Sequence, residues 1–419
     1  MKKTRIFYGY WIVAAFFLFN VVGVGCGPIA FSLFVAPLQN DLGWSRTEIM
    51  AAFTILLMCI AIMAPFVGRM VDRHGARMII SLGAWLVGIG LALLSQMNSL
   101  WQFYVGYAVL GIGVTAISQV TSTFVVSQWF SRRRGTAIGI TSMGIGLGGI
   151  IYAPFVAIYL IPNFGWSHAY LAMGVIVVVI VFPLSLLVIR TRPADLGLFP
   201  DGAEAPETTS LTESSPPAAR GLSLKMALAT PAFWLIAAAI FLQHNHMGIL
   251  QNQVPHLGDI GFPLPIAASV LSIGAGIGTA GMFFFGWLCD KIQAKFAFFI
   301  GLFFIAVGIS IFINIKAQSP VWMIWLYAAI LGFGTGSWLP TLSMLTSTSF
   351  GLAAYGAIFG TLSFFQSFGA AIGPLIAGYL YDSMNTYHWA FIIILGMTVL
   401  AMPLILSVRR PEFHPTLYE

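Results

Sequence analysis

The long apolar segments of this chain carry no Asp, Glu, Lys or Arg in their interiors, so that besides thiols and phenols the only titratable groups at their centres are histidines. A helix of roughly 20 apolar residues crosses a hydrocarbon core about 30 Å thick. The sequence supplies about twelve such stretches, near residues 10–36, 48–67, 78–96, 101–125, 136–160, 168–189, 232–257, 266–287, 296–315, 321–345, 355–380 and 387–407. They are called spans 1 to 12 below. Their hydrophobicity is continuous, not alternating, and lipid forces each backbone group to bond within its own segment, which selects helices over a barrel. The expected class is an all-α polytopic membrane protein with twelve transmembrane helices. With 59% hydrophobic and 8% charged residues and a mean hydropathy of +0.92, a soluble globular domain is excluded. Span 1 is too long for a cleaved signal and is expected to remain as an anchor.

The net charge of +6 is distributed by topology. Lys2, Lys3, Arg5, Arg69, Arg73, Arg77, Arg132, Arg133, Arg134, Arg190, Arg192, Arg220, Lys225, Lys291, Lys295, Arg409 and Arg410 fall on one face, and only Arg46 and Lys316 on the other. The excess of cations predicts that both termini are cytoplasmic. The basic patches are topology signals with a secondary contact to anionic lipid, and nucleic acid is not an expected partner. Cys26, Cys59 and Cys289 lie far apart within or beside spans, a pattern that gives neither a disulfide framework nor metal-ligand spacing. No cofactor is expected.

Residues 193–220 are rich in Pro, Ser, Thr and Ala and include Asp195, Asp201, Glu204, Glu207 and Glu213. Such a stretch reads as a solvated, mostly disordered linker, followed by a short helix around Leu222 to Leu228 lying on the membrane surface. The flanking halves repeat. Pro37, Asp41, Gly43 and Trp44 recur 218 positions later as Pro255, Asp259, Gly261 and Phe262, and Gly68, Asp72, Arg73, Arg77 and Gly83 as Gly286, Asp290, Lys291, Lys295 and Gly301. At an offset of 221, Gly111, Gly113, Gly135, Gly139, Ala169 and Tyr170 return as Gly332, Gly334, Gly356, Gly360, Ala390 and Phe391. The expected organisation is a six-helix bundle over 1–192, a linker over 193–220, a homologous bundle over 221–410 and a tail over 411–419. Parallel repeats of this kind belong to transporters that rock two halves about a midplane site.

The joint after span 2 reads GRMVDRHGAR, with Gly68, Asp72, Arg73, Gly75 and Arg77, and has a weaker copy, GWLCDKIQAK, after span 8. It resembles the loop signature of the major facilitator superfamily. In it Gly68 allows close helix contact, and Asp72, with Arg73, Arg77, Asp290 and Lys291, would latch the bundles by meeting Arg side chains or a helix dipole. SRRRG at Ser131 to Gly135, GWSHAY at Gly165 to Tyr170, RPADLGLFPDG at Arg192 to Gly202 and TPAFW at Thr230 to Trp234 resemble bacterial members of the monocarboxylate transporter and oxalate:formate antiporter group. The resemblance implies a small organic acid as substrate and a prokaryotic cytoplasmic (inner) membrane. This chain departs from the group in three places. Span 8 lacks the Arg with which those carriers bind carboxylate, span 11 has Gln366 nearest to where oxalate carriers place a Lys, and Tyr107 stands where many proton-coupled facilitators have an Arg.

Span 7 holds the densest polar run, FLQHNHMGILQNQVPHLGD. His244 lies near its midpoint, with Gly248, Gln251 and Pro255 on the same face and Asn245 and Asn252 beside them. His246 lies about 200° around an ideal helix from His244, so the two share a face only if Gly248 or Pro255 distorts the turn. An imidazole can enter the membrane neutral and take a proton when an anion arrives, which makes His244 a candidate for proton coupling; the alternative is a neutral hydrogen-bonding group between helices. Asn245, Gln251 and Asn252 can orient a carboxylate or hydroxyl, or tie helices together. Gly25, Gly27 and Pro28 would let span 1 bend or pack closely. Asn20, Tyr107, Gln119, Tyr152, Trp338 and Gln366 are further candidates for lining a cavity, each equally a packing element. Asp41 and Asp259 occupy equivalent outer ends, as caps of the following segment or as an outer gate.

The expected function is secondary transport of a small monocarboxylate with protons by a monomer in the lipid bilayer. A carrier or exporter of a neutral or aromatic metabolite is the alternative within transport, and a transporter-like nutrient sensor the alternative outside it. No catalytic constellation is visible, so an enzyme is not expected.

Overall fold

The computed structural model describes residues 7–202, 221–384 and 386–409, and among them regular structure is helical, with one isolated bridge between Gly221 and Gly351. Eleven helical runs are long and apolar enough to cross a membrane. One of them, Arg134–Leu187, has 54 residues and would be about 80 Å long as a single helix, far more than a bilayer requires. Gly165 divides it, at φ 75° and ψ 168°, a conformation that glycine adopts without the Cβ clash of other residues. Spans 5 and 6 are thus separate crossings, and the total is twelve.

Span 2 is Arg46–His74, span 3 Ala76–Ser95, span 5 Arg134–Pro154 extended by a π-helical turn Phe155–Leu160, and span 6 lies in Ile161–Leu187. In the second half, span 8 is Leu264–Cys289, span 9 Ala294–Ile313, span 11 Tyr355–Met384 and span 12 His388–Leu406. The remaining four spans are interrupted. Span 1 runs from Gly9–Val24 through a π-helical turn, Gly25–Ile29, into Phe31–Leu42. Span 4 stops at Ile117 and restarts at Gln119, because Ser118 leaves the helical region at φ −108°, ψ −126°. Span 7 is Pro231–His244 followed by Met247–Asp259, and span 10 is Val321–Thr335 followed by Trp338–Phe350. The breaks follow the repeat: an offset of 218 carries Gly25–Ile29 onto 243–247, and 221 carries Ser118 onto 339, beside the interruption of span 10. Interrupted helices at matching places in two halves mark the midplane region of transporters.

The interruption in span 7 has a local cause. The Asn245 amide donates to the Phe241 carbonyl at 2.8 Å, and His246 Nδ1 lies 2.6 Å from the Gln243 carbonyl. Side chains that bond the preceding turn compete with the ladder of i to i−4 bonds. The backbone answers with tighter bonds, Gly248 N–H to Asn245 O and Ile249 N–H to His246 O, each 2.9 Å.

Large apolar side chains such as Trp85, Ile89, Val179, Phe303 and Leu400 are exposed around the spans, as lipid permits and water does not. Inside, one apolar core fills the first bundle and continues across the basic face into the second, through residues such as Val71, Phe124, Phe285, Leu345 and Phe359. A separate core of Ile249, Leu257, Ile305, Phe312, Tyr327 and Phe391 occupies the opposite end of the second bundle. The bundles are therefore joined at the face bearing most cations and packed independently at the other.

Two expectations about the joints change. The linker begins folded: Pro193–Leu196 forms a 3-10 turn in which Asp195 accepts from the Arg192 N–H at 3.0 Å, and Asp201 accepts from the N–H groups of Ser131 and Arg132 at 3.0 and 2.8 Å. The rest of the linker, 203–220, and the tail lie outside the described residues. The short helix, Leu224–Leu228, is capped by Ser223 and docks on protein instead of lying free on the bilayer, with the Leu222 N–H donating to Phe350 O at 2.8 Å and Ala227 buried.

Candidate functional site

The break in span 7 gathers the densest set of buried polar side chains. Gln243, His244, Asn245 and His246 are all at most 1% exposed, which at this depth makes every unpaired atom costly. The His244 ring meets Trp338 edge-on at 5.5 Å, so the interruptions of spans 7 and 10 face one another. His244 Nδ1 lies 3.1 Å from the Ile240 carbonyl. A carbonyl only accepts, so Nδ1 of both imidazoles carries the hydrogen and Nε2 is an acceptor. The two rings stand 5.7 Å apart. They come together because the backbone departs from the α-helix at Asn245 and His246 themselves, not at Gly248 or Pro255 as the ideal-helix angle required.

Native buried polar groups are nearly always paired. Here Gln243 Nε2 and Oε1, Asn245 Oδ1 and His246 Nε2 have no hydrogen-bond partner. Asn20 Oδ1, Ser127 Oγ, Ser363 Oγ and Gln366 Oε1 share that condition on other spans. Gln243 and His246 were not singled out by the sequence as site residues. The available signal was the length of the polar run in an otherwise apolar span.

The other predicted residues are dispersed. Asn20 is buried in the first bundle, with Nδ2 donating to Thr141 O on span 5 at 2.9 Å. Tyr107 is not poised at a cavity: its hydroxyl pairs with that of Tyr170 at 3.0 Å and its ring packs on Phe31 and Phe103. Tyr107→Phe is therefore expected to cost about 1 kcal/mol of stability, seen as a small fall in the thermal midpoint in detergent with transport affinity unchanged. Gln119 opens the second part of span 4 and is half-buried. Gln251 is exposed, Asn252 donates to Gly248 O at 2.8 Å, and the side chain of Tyr152 lies outside the described residues. Gln253 pairs with Tyr327, whose hydroxyl donates to Oε1 at 2.9 Å. Asp41 caps nothing after it; Ser45 and Glu48 form the capping box of span 2, while Asp41 accepts from Trp166 Nε1 at 2.8 Å. Asp259 faces the Tyr381 hydroxyl at 3.4 Å.

At the basic face two carboxylates reach from one bundle to the other. Asp72 accepts from the backbone N–H groups of Gly356 and Ala357 at 3.0 and 2.8 Å, at the start of span 11. Asp290 accepts from the N–H groups of Gly135 and Thr136, both at 2.7 Å, and from the Thr136 hydroxyl at 2.6 Å. Each anion sits on a helix N-terminus, where unpaired N–H groups and the dipole favour it. The two contacts are repeat-equivalent, except that Ala357 replaces Thr136 and the third bond is lost. Arg73 and Lys291 are exposed, and Arg77 donates to Leu186 O within its own bundle. Arg73 and Arg77 therefore leave Asp72 to the backbone donors, and the arginine whose charge acts on it is Arg192. Gly68 approaches Gly356, and Gly286 approaches Gly135 and Gly139, so closely that a Cβ would strike backbone.

Twelve crossings in two repeated bundles, with matched interruptions around buried polar groups, make this a transporter fold and not an enzyme. The chain belongs to the Major Facilitator Superfamily, whose model matches residues 10–369 and 298–417. It is 26% identical over 381 residues to an oxalate:formate antiporter of Oxalobacter formigenes, covering 88% of this chain and 84% of that protein. It is also 26% identical to monocarboxylate transporter 13 of Bos taurus, covering 79% of this chain and 73% of the relative. Among solved structures it is similar to the E. coli fucose:proton symporter, with a TM-score of 0.72 at 14% identity over 97% of this chain and all of that one. A proton:xylose symporter gives 0.71 at 15% identity over 96% of each chain.

Proposed function

We propose that this chain is a secondary active transporter that carries a small monocarboxylate or related organic acid, together with a proton, across the cytoplasmic membrane of a prokaryote by alternating access. The basic face is cytoplasmic in this reading, and the bundles over 1–192 and 221–410 rock about the interruptions of spans 1, 4, 7 and 10. The structure then represents the state closed on the cytoplasmic side. The observation that carries the reading is the buried, cation-free group of two imidazoles and two amides where spans 7 and 10 meet. Such a group binds a net-neutral load: an acid and its proton cross together without leaving an unpaired charge in low dielectric. The names of the relatives support the substrate class. His244 is the candidate for exchanging the proton, and Asn245, Asn252, Trp338 and Gln366 for contacting the substrate. The absence of a fixed cation in the spans also suits a neutral metabolite, which is the second reading.

The test is uptake of labelled lactate, acetate and pyruvate into proteoliposomes with and without an inward proton gradient. Wild type should accumulate at least one of them under the gradient, and His244→Ala should lose at least tenfold in rate if that imidazole exchanges the proton (general acid–base groups contribute about 10²–10⁴-fold). Uptake of none of the three by folded protein would remove the carboxylate reading in favour of the neutral one.

A further inference from the structure

The unpaired atoms at the break in span 7 are not a mixed set. Asn245 uses its Nδ2 on a carbonyl and leaves Oδ1; His246 uses Nδ1 on a carbonyl and leaves Nε2; Gln243 leaves both Nε2 and Oε1. The carbonyl partners fix which end of Asn245 and which nitrogen of His246 is spent, because a carbonyl oxygen cannot donate. Among its wholly unpaired atoms the break therefore offers three acceptors and one donor nitrogen, that of the Gln243 amide. A carboxylate, which is acceptor-only, can satisfy that nitrogen but none of the three unpaired acceptors. It would also set its charge against the oxygens of Gln243 and Asn245, with no cation inside the span to offset it. A carboxylic acid in its un-ionised form has the opposite character, one O–H donor beside one C=O acceptor.

We infer that Gln243 binds the substrate as the neutral acid, through a two-hydrogen-bond ring in which the acid O–H donates to Oε1 and Nε2–H donates to the acid carbonyl. This rests on the carboxylic-acid reading above and specifies its proton. One proton joins the carboxylate oxygen before or as it docks, travels as the acid O–H, and returns to water when the acid ionises on the far side. Each cycle moves one carboxylate and one proton, joined as the neutral acid, and no net charge. A hydroxyl on the substrate, as in a 2-hydroxy acid, would supply a second donor for His246 Nε2 or Asn245 Oδ1. Gln243 is a specificity-determining residue in this account, and the side chains of His244 and His246 are its titratable neighbours on span 7.

The discriminating probe is a primary amide of the same shape, because at every pH it keeps an N–H donor beside a C=O acceptor. In proteoliposomes holding the full chain, lactamide should compete with labelled lactate. N,N-dimethyllactamide, which keeps the hydroxyl but lacks the amide N–H donor, should compete roughly tenfold or more weakly, as expected for a buried acceptor left unpaired. Methanesulfonate, permanently ionised, should not compete. Gln243→Leu should lose uptake roughly tenfold or more and lose its response to lactamide. If wild type takes up lactate but lactamide is no better a competitor than its dimethyl derivative, or methanesulfonate competes as well as lactate, the pairing is wrong while the carboxylate reading stands. If wild type takes up no acid, both fall. The competition arms use unmodified protein, so a Gln243→Leu variant that fails to fold does not remove the test.

Discussion

Replacing Asp290 by Ala should open the basic face more than any other single loss of a polar side chain. Asp290 accepts three hydrogen bonds from the start of span 5, two from backbone N–H groups and one from the Thr136 hydroxyl. Charge-assisted bonds of this kind contribute about 1.5–3 kcal/mol each when no water competes. Water reaches the donors once the bundles part, so a net loss of about 3 kcal/mol is the reasonable expectation, roughly a hundredfold in the closed-to-open ratio. Asp72, with two such bonds, should give a smaller shift, roughly tenfold. Thr136→Ala should bring the Asp290 contact down to the level of the Asp72 contact, and Ala357→Thr should raise the latter. Native Cys289 is buried beside this interface. Its labelling by a membrane-impermeant maleimide, in a variant with Cys26 and Cys59 replaced by Ala, reads the opening directly. Faster labelling in the order Asp290→Ala, Asp72→Ala, wild type supports the asymmetry. Equal rates in all three would show that the carboxylates do not hold the face closed.

Gly286→Leu should be still more damaging, because it acts on shape and no solvent can compensate. A Cβ at Gly286 would stand 2.8 Å from the Gly139 Cα and 3.0 Å from its nitrogen, inside any contact that backbone tolerates. Span 8 would have to move away from span 5, and overpacking of this order costs about 3 kcal/mol or more. The closed state should be lost, with Cys289 labelled rapidly and transport below a tenth of wild type. Gly276, ten residues earlier on the same span, has nothing within 4 Å of its Cβ position, so Gly276→Ala is the control and should transport normally. Normal transport by Gly286→Leu would mean that spans 5 and 8 need not meet.

The twelve crossings were legible because lipid imposes them: a charge-free apolar run of sufficient length has few alternatives. The repeat was legible too, and with it the equivalence of Asp72 and Asp290. Their partners were not, since the donors are backbone N–H groups of Gly356, Ala357, Gly135 and Thr136, which carry no side-chain signature. The sequence offered Arg side chains or a helix dipole for that role; in the structure the carboxylates sit on the helix N-termini of spans 11 and 5, and Arg77 turns to a carbonyl of its own bundle. In span 7 the polar run was visible, yet angular reasoning separated His244 from His246 because it assumes 100° per residue. Amide and imidazole bonds to the preceding turn abolish that regularity at the point where it mattered. The contacts of Tyr107 and Asp41 were hidden for a related reason: their partners, Tyr170 and Trp166, lie on span 6, and distance in sequence hides such pairings.

The most direct test of the account is the pH inside proteoliposomes when lactate is added outside at equal pH, with the membrane potential clamped at zero. Coupled carriage predicts acidification of the lumen, faster than in protein-free vesicles, by one proton for each labelled lactate that enters. Entry of lactate without that acidification would contradict it.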